Sequence, residues 1–314
     1  MFRKVRERAL AEHSIVGILR LLGGKTWMKR PVKTERDLEY YKNTLELIKR
    51  YEKEGFVTSK ADKVVLTGLG QKLVEKIFSA CKNNKISYST GEFHLGTPYK
   101  EIVTELQGVH KKFSPRRELD QAPLSTSSAV AKIAYAIKRG DVIGKRVVCI
   151  GDDDFLSIIL ALTGKPKEVL AIDLDKRVLS TIEELSKKTK IEIGTLKHDL
   201  RKPVQTKYRN RYDTAFFWSS DTEVGFNLFA SRGIELLREG GAIYANVTPS
   251  WCHPLELLGI RRGIFEMGLK ITDFVKDSGE YIFANKTWKV DLIRMEKSRT
   301  SKPMCRILRD KIPY

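Results

Sequence analysis

Cysteine is scarce in this chain: four residues in 314, at Cys81, Cys149, Cys252 and Cys305. No two of them form a Cys-x-x-Cys pair, and Cys149 falls in an apolar strand pattern. A zinc site therefore does not fit, and a reducing, cytoplasmic location is expected. Long apolar runs are missing as well. No stretch approaches the roughly 18 residues of a membrane helix, so no membrane span is expected. The N-terminal "MFRKVRERALAEHSIVGILRLLGG" is basic and then apolar. It lacks the continuous apolar stretch and small-residue cleavage site of a secretory signal. Val5, Leu10, Ile15, Ile18, Leu19 and Leu22 instead recur at helical spacing, so a mature helix is expected. Internal repeats and low-complexity segments are absent. Acid is in deficit, with 39 Asp and Glu against 58 Lys and Arg, a formal charge of +19 and a pI near 9.7. Two readings of that balance stand. One is a polyanionic partner such as nucleic acid; the other is a charge-rich cytosolic protein from a thermophile. The basic residues are spread along the chain rather than gathered into a tail.

What is present is enough for one large or two ordinary domains. Residues 1–85 read as a winged-helix domain. In "TERDLEYYKNTLELIKRYEKEGFV", Leu38, Tyr41, Leu45, Ile48 and Tyr51 mark an amphipathic helix, with Thr34 as its N-cap and Gly55 at its stop. Strands at 56–58 and 64–66 flank the polar "SKADK", and "LTGLGQKLVEKIFSA" opens a further helix. Helices followed by a two-stranded wing either bind DNA or serve as a dimerisation or lid module. The recognition-helix candidate, Glu35–Glu54, balances acids against bases, so nucleic acid is not the favoured partner. Residues 86–126 read as an irregular linker and loop segment carrying Pro98, Pro115 and Pro123. A helix follows from Ser127 to near Gly140. Strands and helices then alternate from 127 to the C-terminus, and the tail after Met295 shows little pattern. This is the signature of an α/β, Rossmann-like domain with a parallel sheet covered on both faces.

In such sheets ligands sit beyond the carboxyl ends of the strands, near the switch in strand order. The first strand–turn–helix is "VVCIGDDDFLSIIL". Glycine is short here too. Gly151 allows a tight turn, but Asp152, Asp153 and Asp154 follow, where a dinucleotide fold would clear space for phosphate. NAD and ATP are disfavoured accordingly. S-adenosyl ligands use the same fold without a phosphate. In the Gly-x-Gly-x-Gly register of ordinary methyltransferases, Gly151, Asp153 and Phe155 take the three glycine positions. Carboxylates there disfavour a donor that carries a carboxylate and favour a purely cationic one, such as decarboxylated S-adenosylmethionine. A helix cap and a divalent metal site are the alternatives. Asp173 ends the second strand, 22 residues after Gly151, where an acid holds ribose hydroxyls. Asp175 ranks behind it, and either could serve only as an N-cap. Asp199 ends the third strand, placed to accept from an adenine amino group or to form a turn.

"LDQAPLSTSSAVAKIAYAIKRGDVIGKRVVCIGDDDFLSIILALTG", "VLAIDLD", "KHDLRKP" and "FASRGIELLREGG" together resemble the branched-chain polyamine synthases of thermophilic archaea and bacteria. The resemblance is best over residues 115–245. It implies an N-terminal winged helix on a Rossmann-like S-adenosyl-binding domain. It also implies aminopropyl transfer from decarboxylated S-adenosylmethionine to the central nitrogen of spermidine, with no cofactor beyond that co-substrate. A homodimer is expected. Under it, Asp154 with Asp153 beside it orients and deprotonates the acceptor, Asp152 binds the donor's ammonium, and Asp120 and Gln121 either close over the site to hold the acceptor or serve only as a structural loop. Two departures stand out. "DQAP" carries Ala122 where the family has cysteine, and "WSSDTE" replaces an Asp-Pro-Pro turn. Either Asp221 supplies the missing carboxylate from a shifted position, with Ser220 beside it, or Ser219 or Ser220 merely caps the next helix. Two rival functions remain open: an S-adenosylmethionine-dependent methyltransferase, and a winged-helix DNA-binding regulator whose second domain senses a small cation.

Overall fold

The structure is a computed structural model that describes residues 45–60, 63–82, 87–90, 97–119, 121–249, 252–283 and 286–304. The helix expected in the first 24 residues, Thr34, the first part of Glu35–Glu54, and Asp120 lie outside the described residues.

Helix α1, described over 45–53, buries Leu47, Ile48 and Tyr51. It ends as the sequence predicts. Gly55 takes φ +76, the Gly55 N–H reaches the Glu52 carbonyl and the Phe56 N–H reaches that of Tyr51, so the last carbonyls are paired by a glycine that tolerates left-handed φ. Strands β1 (Val57–Lys60) and β2 (Lys63–Leu66) form the expected antiparallel hairpin, and helix α2 (Gly68–Lys82) follows.

The rest is a single eight-stranded sheet. Its elements are β3 (Ser87–Thr90), α3 (Thr97–Lys112), α4 (Thr126–Lys138), β4 (Arg146–Ile150), α5 (Leu156–Thr163), β5 (Glu168–Asp173), α6 (Lys176–Ser186), β6 (Ile193–Lys197), β7 (Tyr212–Phe217), α7 (Glu223–Leu236), β8 (Leu237–Val247), α8 (Pro254–Glu266), β9 (Leu269–Phe283) and β10 (Lys286–Lys297). The strand order is β3-β9-β10-β8-β7-β4-β5-β6. The run from β8 to β6 is parallel, and β10 is antiparallel to both of its neighbours. The chain winds outward from β4 to β6, then returns to place β7 on the other side of β4. The switch point is therefore the crevice between the ends of β4 and β7.

Alternation along the strands splits the core between the two faces. Val147 and Cys149 pack with Ile133, Phe155, Phe216 and Tyr244 on one face, whereas Val148 and Ile150 pack with Phe217, Phe226 and Ile243 on the other. A third cluster joins Leu47, Ile48, Tyr51, Val57, Val74 and Ile77 to Leu255 and Leu258 of α8, so the N-terminal elements rest on the sheet domain.

Two expectations need correction. The described part of 86–126 is not a loop throughout: β3 adds to the sheet edge beside β9, and α3 buries Leu106 and Val109 in the main core. The apolar residues Ile102, Val103, Leu106 and Val109 carry helical spacing there, and Pro98 sits in the first turn, where a missing N–H costs nothing. The end of the chain is also more regular than expected. β9 and β10 extend well beyond 271–276 and 288–295 as one long bulged hairpin, and β8 begins at Leu237, because a shift after Tyr212 lets 238–241 bulge out of register.

Candidate functional site

The turn after β4 lies at the switch point. Gly151 adopts φ +67 and donates its N–H to the Ile172 carbonyl at 2.8 Å; a Cβ here would also sit 2.8 Å from the Phe229 ring. Phe155, at the third glycine position, has φ +55, a left-handed conformation that costs a non-glycine residue roughly 1–2 kcal/mol. Complete burial against Phe113 and His110 compensates for that strain.

The three aspartates face three different environments. Asp152 is 1% exposed and caps α5: its carboxylate accepts from the Leu156 N–H at 2.8 Å and the Ser157 N–H at 3.2 Å. The cap alternative therefore holds for this residue, and its oxygens are turned to the helix rather than to a donor ammonium. Burial pushes its pKa up to about 7. Asp154 is also buried; its Oδ1 accepts from the Leu124 N–H at 2.7 Å. Burial raises its pKa, and the charges of Lys132 and His110 oppose that rise. Asp153 is half-buried and receives no hydrogen bond from another described residue. Burial and then the neighbouring charges of Asp154, Asp173 and Asp152 hold it well above the ordinary carboxylate range.

Asp173 closes the floor. Its Oδ2 accepts from the Asp152 N–H at 2.9 Å and its Oδ1 from the Asp175 N–H at 2.7 Å, and burial raises it to about 6. It thereby locks the first two strand ends together while keeping lone pairs for a further donor. Asp175 is the N-cap of α6 and is gripped by Arg177 and by Gln121 Nε2 at 3.1 Å. Gln121 also accepts from the Arg116 N–H, and Arg177 reaches the Ser114 carbonyl, so the 114–121 loop is tied down over β5. Asp199 is held in a fork by Arg201. At the end of β7, the Ser220 hydroxyl meets that of Thr222, which caps α7, and Asp221 accepts from the Thr248 N–H at 2.9 Å. Asp152, Asp153, Asp154 and Asp173 thus converge; Asp175 and Gln121 form their rim through Arg177; Ser220 and Asp221 belong to the neighbouring loop.

Sequence reasoning missed Lys132, His110, Trp218 and Tyr281. Lys132 is 3% exposed on α4, and its Nζ donates to the Phe217 carbonyl at 3.2 Å. Its position among Ala129, Ile133 and Ala136, on the buried face of a helix, was the available signal. Trp218 stands edge-on to Tyr281 with ring centroids 4.7 Å apart, and Tyr281 pairs with Leu124 across an isolated bridge. Among the described residues, no group of three or more His, Cys, Asp or Glu is arranged to hold a metal ion, and no helix is long and apolar enough to cross a membrane.

Residues 101–302 match the branched-chain polyamine synthase A C-terminal domain. The chain belongs to the branched-chain polyamine synthase family. An uncharacterized protein of Methanocaldococcus jannaschii is 31% identical over 73% of the chain and 60% of its own length. The N(4)-bis(aminopropyl)spermidine synthase of Thermococcus kodakarensis is 30% identical over 73% of the chain and 66% of its own length. The chain thus spans somewhat less than two thirds of these curated relatives. The branched-chain polyamine synthase of Thermus thermophilus, solved with N4-aminopropylspermidine and 5'-methylthioadenosine, superposes with a TM-score of 0.64, covering 85% of this chain and 82% of that one at 22% identity. The Rossmann-like fold is therefore shared with this family.

Proposed function

We propose that this chain moves the aminopropyl group of decarboxylated S-adenosylmethionine to the central nitrogen of spermidine and releases methylthioadenosine. The observation that carries the reading is Asp153: a raised, half-buried carboxylate at the β4–β7 crevice that accepts no hydrogen bond from another described side chain, although the charge of buried Lys132 acts on it. A site with more carboxylates than cations stabilises a cation entering it, and both the donor and the acceptor are cationic. The family match and the names of its relatives support the same chemistry.

In this reading, Asp173 accepts from the donor's ribose hydroxyls. Asp153 takes the donor's ammonium, the role expected of Asp152, which caps α5 instead. Asp154 faces the acceptor. An alkylammonium with a pKa of about 10 must lose its proton before it can attack. Asp154 accepts that proton; the freed nitrogen lone pair forms the new C–N bond at the methylene beside sulfur, and the C–S pair returns to sulfur, leaving a neutral thioether. Trp218, in the loop that departs from Asp-Pro-Pro, offers an aromatic face to the acceptor's remaining cations. The N-terminal elements act as a winged-helix module, and their apolar contact with α8 favours a docking role over DNA reading.

The deciding experiment is a binding and product comparison. Purified protein should hold decarboxylated S-adenosylmethionine at least about tenfold more tightly than S-adenosylmethionine, a difference of about 1.4 kcal/mol. Incubation with a polyamine panel should yield products heavier by one or two aminopropyl groups on mass analysis. Equal affinity for both donors, or methyl transfer, would overturn the assignment.

A further inference from the structure

Arg50 and Tyr51 stand outside residues 101–302, the part matched to the family domain, yet both reach into the sheet domain beside the loop after β7. That loop carries Trp218, Ser220 and Asp221 and runs directly into α7. Its bonds converge on the start of the helix. The Ser220 and Thr222 hydroxyls meet at 3.1 Å, and Thr222 accepts from the Gly225 N–H at 3.1 Å. Asp221 accepts from the Thr248 N–H at 2.9 Å through its carboxylate and from the Cys252 thiol at 3.0 Å through its carbonyl. A side chain at Gly225 would collide with the Ser220 hydroxyl, so the loop folds closely onto the first turn of α7. Wherever that turn sits, the loop sits.

Glu223 is the first residue of α7, where the helix dipole favours an acid. Its backbone N–H donates to Glu256 of the first turn of α8 at 2.5 Å. Two buried acids at adjoining helix starts repel unless a cation or donor stands between them. The N-terminal elements supply both. Arg50 Nη2 donates to Glu223 Oε2 at 2.5 Å, and the buried Tyr51 hydroxyl donates to the same oxygen at 3.1 Å. Leu47, Ile48 and Tyr51 pack on Leu255 and Leu258 of α8 alongside. Arg262 of α8 pairs with Glu54 and lies over the Phe56 ring. The starts of α7 and α8, and with them the loop after β7, are therefore backed by α1.

We propose that Arg50, together with Tyr51, is a positioning residue: it holds Glu223 at the start of α7 and so fixes the 218–222 loop in the shape that receives the acceptor polyamine. The part concerning the acceptor rests on the aminopropyl-transfer reading; the coupling of α1 to the loop does not.

Arg50→Ala in the full-length protein tests this with two readouts. Trp218 is followed by 19F resonance in 5-fluorotryptophan-labelled protein, its signal assigned by its loss in Trp218→Phe. Far below the unfolding temperature, Arg50→Ala should shift or broaden that signal. Members of one network affect each other measurably, so KM for spermidine should rise about threefold or more. KM for the donor and kcat should stay within about twofold, the signature of a lost binding contribution rather than a lost catalytic one. Glu223→Gln, which keeps the shape of the side chain and leaves no buried charge, should give the same pattern. In the Glu223→Gln background, Arg50→Ala should add little, because Arg50 acts through that carboxylate. An unmoved Trp218 signal, equal rises in both KM values, or additive losses in the double variant would each overturn the proposal. If the wild-type protein transfers no aminopropyl group, the functional reading fails, and the Trp218 resonance still decides whether α1 sets the loop.

Discussion

Glu223 is buried as deeply as the aspartates of the turn, at 5% exposure, yet the chain answers its charge itself. Arg50 and Tyr51 of α1 both bond its carboxylate, and its own backbone N–H is taken by Glu256. These contacts pin the N-terminal elements to α7 and α8. The aspartate turn receives no such treatment. Asp152 and Asp173 are satisfied by backbone amides, Asp154 by one amide, and Asp153 accepts no hydrogen bond from another described residue. Burial raises the carboxyl pKa values in both places, so depth does not distinguish them. The difference lies in direct pairing: Glu223 meets Arg50 in an ion pair, whereas among the described residues no side chain forms an ion pair with Asp152, Asp153, Asp154 or Asp173, and that place is left to a ligand.

The comparison breaks most visibly at Asp154. Asp154→Asn should lower methylthioadenosine release by about 10²–10⁴-fold, the usual contribution of a positioned base, with the fold retained by circular dichroism. Unchanged turnover would remove the base assigned here. The structural cluster should behave in the opposite way. Arg50→Ala should cost about 1–2 kcal/mol in urea unfolding, less than a fully buried pair because its side chain is 36% exposed, and should leave turnover at saturating substrate intact.

The smallest expected effect is a pH dependence. Asp152 is raised to about 7, Asp173 to about 6, and Asp153 lies well above its ordinary value. A carboxyl raised on folding favours the folded state while protonated; that advantage is complete below the unfolded pKa and is lost as pH climbs through the folded one. Tm of the ligand-free protein should therefore rise as pH falls from about 8 to about 7, before His110 and His253, both lowered by burial, take up protons more readily in the unfolded chain and oppose the rise. Glu256, raised to about 7, contributes with the same sign. Asp153→Asn should flatten the slope, and millimolar spermidine at pH 8 should raise Tm in the wild type more than in that variant. A slope unaffected by Asp153→Asn would place its source in Asp152, Asp173 or the glutamate cluster instead.

Much of this was legible along the chain. The alternating strands and helices, the hairpin after Gly55 and the aspartate turn after the first strand are local patterns, and local sterics and periodicity fix them. Helix α3 was legible in principle through Ile102, Val103, Leu106 and Val109, but the prolines around it masked the signal. The division of labour within the turn was not legible. Three identical side chains in a row become a helix cap, a carboxylate without a described hydrogen-bond donor and an acid bonded by the Leu124 amide only because α5 and the Leu124 segment approach them from different directions.

The sequence by itself determined that negative charge would stand at the mouth of a parallel sheet, because a strand, a glycine and three aspartates can fold locally in few other ways. Only the tertiary structure decided which of those charges stays unanswered. Charge compensation depends on distance in space, and Leu124 and Arg50 reach their acids from 30 and 173 residues away along the chain.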